Sequence, residues 1–72
     1  MKVLDLKKLI NDKKTGAYFI NISDKEILEK KINEAKEEGL FHKNKIAYTY
    51  TIHENYIVLI LSKSIYNLMK GN

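Results

Sequence analysis

The stretch Ala17–Phe41, AYFINISDKEILEKKINEAKEEGLF, decides the fold, because it holds both the clearest helix of the chain and its most ambiguous element. Ser23 and Glu26 have the S-x-x-E spacing of a capping box, in which each side chain accepts a hydrogen bond from the other residue's backbone N–H. Gly39 stands where a helix commonly stops. The apolar residues between them recur at helical spacing: Ile27, Leu28, Ile32 and Ala35. We predict a helix over about Asp24–Glu38.

The segment Ala17–Ile22 can form either a strand or a short helix. Its side chains alternate in type, and its aromatic and β-branched residues favour a strand. In the alternative, a short helix ends at Asn21, a residue type that tolerates left-handed geometry. The outcome matters because only a helix here would form a helix-turn-helix with the helix that follows.

The flanking segments predict one further helix on each side and a hairpin. Apolar spacing predicts an N-terminal helix over about Val3–Lys13, followed by a polar break. After a basic loop, His42–Lys45, the alternating stretch Ile46–His53 predicts a half-buried strand. The run Tyr56–Leu61 is apolar on both faces, so we expect it to be covered on both sides. Ser64 is expected to cap a short closing helix.

Length and composition indicate one domain spanning residues 1–72. A chain of this size buries only about 60% of the surface that its unfolded form exposes, so we expect a homodimer to enlarge the core. The chain has no cysteine, and its two histidines, His42 and His53, are far apart in sequence. We therefore expect no disulfide, metal or cofactor. No stretch has the length of a membrane span or the apolar core of a signal peptide, which predicts a cytoplasmic protein.

Charge is unevenly distributed along the chain. All thirteen basic side chains are lysines, and the net charge is +4. Residues 1–14 and 42–72 each carry +3, whereas residues 15–41 carry −2. The two ends of the chain therefore carry the positive field, and the central helix is its acidic part.

The central stretch resembles the winged helix-turn-helix family of DNA-binding proteins. In that family a small residue is often followed by a turn residue, a β-branched residue, Ser and an apolar residue, at a spacing matched here by Ala17, Asn21, Ile22, Ser23 and Ile27. The ending Glu37–Phe41 is similar to the end of a recognition helix before the wing strands. The resemblance implies a small winged-helix-like α+β domain in which the hairpin of about Ile46–Leu61 is the wing.

The residues expected to contact DNA combine the lysine-rich ends with two positions that the resemblance places on the recognition helix. Ammonium groups contact phosphates, and a loop amide can reach a base edge. The candidate residues are Lys7, Lys8, Lys13, Lys14, Lys30, Asn33, His42, Lys43, Asn44 and Lys45. Neither a nucleophile beside a base nor a phosphate-binding glycine loop occurs in the sequence, so we do not expect an enzyme.

Two functional hypotheses follow. In the first, the protein is a small regulator, or an accessory protein of a plasmid or phage, and binds double-stranded DNA through phosphate contacts from the wing and the N-terminal lysines. In the second, it is a protein-interaction module or inhibitor that recruits a host protein through an apolar edge strand, Tyr56–Leu61. The structure of Ala17–Ile22 and the position of that strand in the sheet bear on both.

Overall fold

The computed structural model describes residues 4–70 as a layer of helices packed on a three-stranded antiparallel sheet. In chain order the elements are α1 (Leu6–Asn11), β1 (Gly16–Asn21), a 3₁₀ turn (Ile22–Asp24), α2 (Lys25–Glu37), α3 (Leu40–Asn44), β2 (Ala47–Ile52), β3 (Tyr56–Ser62) and α4 (Lys63–Lys70). The expected fold class, a small winged-helix-like α+β domain, is confirmed. Val3, with which the predicted first helix began, lies outside the described residues.

The ambiguous segment forms a strand. β1 pairs antiparallel with β3, so that Ala17 lies opposite Ile60 and Asn21 lies opposite Tyr56. The strand alternative is therefore confirmed, and the helix alternative is wrong. Alternation explains the outcome, because pairing in this register puts Ile20 in the core while the residues on either side of it stay exposed. Residues 17–27 thus form a strand, a turn and the start of a helix, and no helix-turn-helix.

The apolar run Tyr56–Leu61 is the middle of the sheet. The strand order is β1-β3-β2, so both edges of β3 are hydrogen-bonded to neighbouring strands. The prediction that this run lies at an edge is wrong. In the central position the backbone N–H and C=O groups on both edges of the strand find partners, and its apolar side chains lie between those of two neighbouring strands.

Helix α2 confirms the central helix within a residue at each end, but its start differs from the predicted one. The Asn21 side chain accepts a hydrogen bond from the Ser23 N–H at 2.9 Å, and Asp24 at the helix start makes no side-chain capping bond. The predicted Ser23–Glu26 capping box is therefore wrong, because the Asn21 side chain, and not that of Glu26, accepts from the Ser23 N–H. Gly39 ends the helix with φ +70°, in the left-handed region expected of it.

A short helix, α3, occupies the segment predicted to be a basic loop. It begins directly after Gly39 and buries Leu40 against the core. Five residues are too few to show helical periodicity, which explains why the sequence did not reveal it. Two helices, α2 and α3, therefore precede the hairpin.

The core lies between the sheet and helices α1, α2 and α3. Its largest fully buried members come from the first helix, the segment before β2 and the central strand: Leu6, Ile10, Ile46, Ile57, Leu59 and Leu61. Tyr48 and Tyr50 face this core, opposite Leu61 and Leu59 across the β2–β3 pair, as expected from the alternation of β2. This leaves the opposite face of the sheet without a layer of helices over most of its width.

Helix α4 follows β3 without a loop and packs against β2. The Ile65 N–H donates to the Ser62 hydroxyl at 3.1 Å, so Ser62 caps this helix. The prediction of Ser64 as the cap is wrong by two residues, because the helix begins at Lys63. None of the helices within residues 4–70 combines the length and apolar character needed to cross a bilayer.

Leucine truncation should separate the core from the surface. Leu59→Ala removes a side chain that is 0% exposed, so we expect it to cost about 2–5 kcal/mol of unfolding free energy. Leu68→Ala, the same change at a side chain that is 81% exposed, should cost less than about 0.5 kcal/mol. Urea unfolding followed by circular dichroism measures both. Equal losses would contradict the described core.

Candidate nucleic-acid interface

The register of the sheet gathers five lysines at one of its ends. Strands β1 and β2 both run antiparallel to β3, so both begin where β3 ends: Gly16 lies opposite Leu61, and Ala47 lies opposite Ser62. The residues that precede the first two strands or follow the third therefore lie near one another. We call this region the basic end; its exposed lysines are Lys13, Lys14, Lys43, Lys45 and Lys63.

A side-chain hydrogen bond joins the two helices that border the basic end. The Asn44 amide donates to Asn11 Oδ1 at 3.1 Å and to the Leu40 carbonyl at 2.9 Å. The first bond ties the end of α3 to the end of α1. Asn44 is half-buried, so it positions its neighbours, and the prediction that it reaches a base edge finds no support in its contacts.

Helices α1 and α3 end in the same backbone motif. At the end of α1 the Lys13 N–H donates to the Ile10 carbonyl and the Lys14 N–H donates to the Leu9 carbonyl. At the end of α3 the Lys45 N–H donates to the His42 carbonyl, and the Ile46 N–H donates to the Phe41 carbonyl. This bonding pattern is a Schellman motif, which requires a left-handed residue just after the helix.

The left-handed residue is a lysine in both motifs. Lys13 has φ +57° and Lys45 has φ +58°. Such a conformation costs a residue with a side chain about 1–2 kcal/mol relative to its usual backbone regions, which is why glycine is common at this position. At the end of α2 the chain does use a glycine, Gly39. The two positions at the basic end thus carry charge at a cost in stability.

Two of the expected contact residues are engaged in ion pairs. Lys7 Nζ lies 2.5 Å from Glu38 Oε2, and Lys8 Nζ lies 2.8 Å from Asp12 Oδ2. The hydrogen bonds in these pairs raise the pKa of Lys7 and of Lys8 and lower the pKa of Asp12. Both lysines therefore carry less uncompensated charge than their position in the sequence suggested. The pairing of Asp12 also masks a carboxylate that lies beside Lys13.

His42 contacts the last helix. Its Nδ1 atom lies 2.8 Å from the hydroxyl of Tyr66, and the two rings are 5.8 Å apart. The pair joins α3 to α4 across the start of β2. His42 is exposed beside Lys43, so it remains at the border of the basic end.

Lys30 and Asn33 lie on α2, away from the basic end. Lys30 is about 200° around the helix from both Leu28 and Ile32, so it points away from the core. Asn33 borders a shallow recess between α2 and β2. The Lys36 ammonium lies over the Tyr48 ring in the same recess, 5.4 Å from its centroid. The structure therefore does not group these two residues with the lysines of the basic end.

The tip of the β2–β3 hairpin lies at the opposite end of the sheet. Its residues, His53–Asn55, include Glu54 and no lysine. The tip is held to the turn after β1 by a hydrogen bond from the Ile22 N–H to the Asn55 carbonyl at 3.2 Å. The hairpin tip and the segment His42–Lys45 therefore lie at opposite ends of the sheet and do not form one phosphate-binding surface.

The structure brings together six of the ten expected residues and adds one. The group at the basic end consists of Lys13, Lys14, His42, Lys43, Asn44 and Lys45. Lys63, which belongs to the positively charged segment 42–72 but is not one of those ten residues, joins it. In a β-hairpin, the residue that follows the second strand lies beside the residue that precedes the first strand. The predicted hairpin was therefore sufficient to place Lys63 near Lys45.

Comparison with protein-family models, with curated proteins and with solved structures gives no match. The geometry of this chain is therefore the basis for its functional interpretation.

Substitution by glycine should have opposite effects at two neighbouring lysines. Lys45→Gly relieves a left-handed residue, so we expect the unfolding free energy to rise by about 0.5–1 kcal/mol after the backbone entropy of glycine is subtracted. Lys43→Gly changes a residue inside α3 and should lower it by about 1 kcal/mol. Both variants lose one positive charge. Urea unfolding measures both, and changes of the same sign would contradict the Schellman assignment.

The Tyr50–Glu29 contact should make stability depend on alkaline pH. Burial raises the pKa of Tyr50, and Glu29, whose Oε2 accepts from the tyrosine hydroxyl at 3.2 Å, raises it further. The contribution to stability is therefore complete below the unfolded pKa of about 10 and is lost as the pH rises through the folded pKa. In Tyr50→Phe we expect a smaller loss of stability across this range than in the wild type. An identical loss, measured by urea unfolding at several pH values, would contradict the assignment.

Proposed function

We propose that the protein binds double-stranded DNA through phosphate contacts made by its basic end. The observation that carries the proposal is the register of the sheet, which collects Lys13, Lys14, Lys43, Lys45 and Lys63 from three separate parts of the chain. The carboxylate nearest to this group in sequence, Asp12, is paired with Lys8. A surface of this kind attracts a polyanion and releases its counterions on contact.

The dimensions of the basic end fit several phosphates at once. Neighbouring strands lie about 4.8 Å apart, so the starts of β1 and β2 are separated by about 10 Å across β3. B-DNA carries one charge per about 1.7 Å of helix axis, so lysines spread over this width face several phosphates. We therefore take about four simultaneous contacts as the expected number.

Left-handed lysines support the proposal independently of the charge count. Glycine at Lys13 and Lys45 would make both helix ends more stable, but it would remove two of the five charges of the basic end. Strained backbone is retained where a particular side chain is needed at that place. The conformation also holds the two lysines at rigid helix ends rather than on mobile loops.

Lysine chemistry limits what the interface reads. A lysine ammonium is a hydrated point charge and lacks the planar fork with which arginine recognises guanine, and the chain has no arginine. Phosphate contacts set position and orientation but carry no sequence information directly. We accordingly propose binding that is largely independent of sequence, as suits a small accessory protein or a regulator that relies on DNA shape.

The alternative of a protein-interaction module that uses Tyr56–Leu61 as an edge strand loses its structural basis. Both edges of that strand are already paired, so strand addition by a partner would require β1 or β2 to leave. We do not retain this mechanism.

Salt-dependent binding to random-sequence duplex tests the proposal. With about four phosphate contacts, the slope of log K against log salt should be about −3 to −4, so that affinity falls about 10²-fold between 50 and 200 mM salt. Lys43→Gln should weaken binding and bring the slope about one unit closer to zero. Fluorescence anisotropy with a labelled duplex gives both quantities.

Lys30→Gln is the matched control, because it removes the same charge from the outer side of α2. We expect its affinity and slope to stay close to those of the wild type. Absence of binding at low salt would overturn the proposal, and equal effects of the two substitutions would move the interface away from the basic end.

A further inference from the structure

The sheet has one face that the helical layer does not cover. The odd-numbered residues of β1 and β2 and the even-numbered residues of β3 point to this face, which we call the open face. Phe19 is 72% exposed on it and Tyr56 is 40% exposed, with ring centroids 5.8 Å apart. Only its corner at Ala47, which borders a recess shared with Met69, is buried.

No strand residue that points to the open face is charged, although charged residues make up 31% of the chain. His53, which follows β2, stacks on Tyr56 at the hairpin end of this face, with ring centroids 4.6 Å apart. Besides aromatic and aliphatic residues, the strands place only small polar ones on it, such as Thr49 and Thr51. An antiparallel sheet with one side in water normally alternates apolar and polar or charged residues, which keeps that side soluble. Exposed aromatic residues on a face whose strands carry no charge are typical of a surface that another protein covers.

We propose that the open face packs against the same face of a second copy of this chain. The chain has a net charge of +4, so two copies repel each other over most of their surfaces. Two open faces can approach each other without bringing lysines of their strands together, because those strand residues are uncharged. Association also adds to the buried apolar surface, which stabilises a domain of 72 residues whose own core is small.

The distribution of side-chain size favours one arrangement of the two copies. The large residues Phe19 and Tyr56 lie towards the hairpin tip, whereas Ala17, Ala47 and Ser62 lie towards the basic end. A twofold axis that lies in the interface, perpendicular to the strands, places the large residues of each copy over the small ones of the other. The same axis puts the two basic ends at opposite ends of the dimer, where they repel least.

The aromatic residues of the open face do not make it a platform for single-stranded nucleic acid. Such platforms combine aromatic stacking with a positively charged groove that follows the backbone. The residues of the described strands that point to this face provide no such charge. The charge pattern of the face therefore fits a second copy of the chain. Stacking of bases on Phe19 and Tyr56 is the alternative that the experiment below distinguishes from it.

The expected dimer is weak. Three strands about 4.8 Å apart and six residues long present a face of roughly 20 Å by 15 Å, so the two faces together cover about 600 Å², less than the about 1,000 Å² of a stable interface, and the dimer is transient. We therefore expect dissociation constants in the micromolar range, since affinity at this size depends on a few well-packed aromatic anchors.

Sedimentation of the full chain over about 10 µM to 1 mM tests the proposal, a range chosen for micromolar affinity. We expect a monomer–dimer equilibrium that Phe19→Glu and Thr51→Glu each weaken at least tenfold. Both positions are exposed, so circular dichroism should show an unchanged fold. Leu68→Glu, at a strongly exposed apolar position on α4, is the matched control and should leave the equilibrium unchanged.

Several results would overturn the proposal. One is a wild-type chain that stays monomeric at the highest concentration. Another is loss of the dimer in Leu68→Glu but not in Phe19→Glu, which would place the interface on α4. Binding of oligothymidylate by a monomeric wild type, abolished by Phe19→Glu, would assign the face to nucleobases instead.

A distance measurement tests the arrangement. The chain has no cysteine, so a spin label attached at Glu54→Cys is unique in each copy. The proposed axis places the two labels at opposite ends of the sheets, more than about 25 Å apart, whereas parallel copies would bring them within about 15 Å. The longer distance supports the proposed arrangement, and the shorter one overturns it.

Discussion

Antiparallel pairing of β1 with β3 is the constraint on which the rest of the molecule depends. It makes the apolar strand central, which satisfies the backbone groups on both of its edges and leaves β1 and β2 as the edges of the sheet. It also fixes the direction in which α1 approaches, because only a few residues join α1 to the start of β1. Without this pair the chain would retain a two-stranded hairpin, which is marginally stable in water by itself.

The same register distributes charge. In a three-stranded antiparallel sheet whose middle strand comes last, the first two strands start at the same end and the third finishes there. Lysines that are scattered over fifty residues of sequence, from Lys13 to Lys63, therefore share one end. The acidic α2 lies in the helical layer, where Glu38 pairs with Lys7 and Glu29 accepts a hydrogen bond from Tyr50. The Glu38 and Glu29 carboxylates thus serve contacts between elements.

The sequence determines much of this fold, and the failures have identifiable causes. The long helix, its glycine stop and the hairpin follow from periodicity and from Gly39, because these signals are local. The capping box at Ser23 fails because the side chain of Asn21, two residues earlier, competes for the same backbone N–H. The position of β3 cannot be derived locally, since a strand that is apolar on both faces suits either an edge covered by a partner or the centre of a sheet.

The candidate site was only partly predictable for a related reason. Lysine composition identifies the residues, but their grouping depends on β1, whose partner lies forty residues away in sequence. The left-handed lysines give no signal in the sequence, because lysine is not expected at a position that favours glycine. The backbone conformation must be known before a non-glycine residue at such a position can be interpreted. It then indicates that the side chain is retained for its own role, because glycine would suit the turn better.

The two proposed surfaces divide the sheet between different kinds of chemistry. The basic end carries charge at the strand termini, whereas the open face carries apolar groups between them. A small domain gains from this separation, because a charge within the face would have to lose its water when the face is covered, at a cost that a weak interface could not offset. Charge at the ends stays hydrated until a polyanion arrives. A dimer with its basic ends far apart would then hold two separate phosphate-binding surfaces on one rigid body, and so raise the effective concentration of each for a continuous duplex that can reach both.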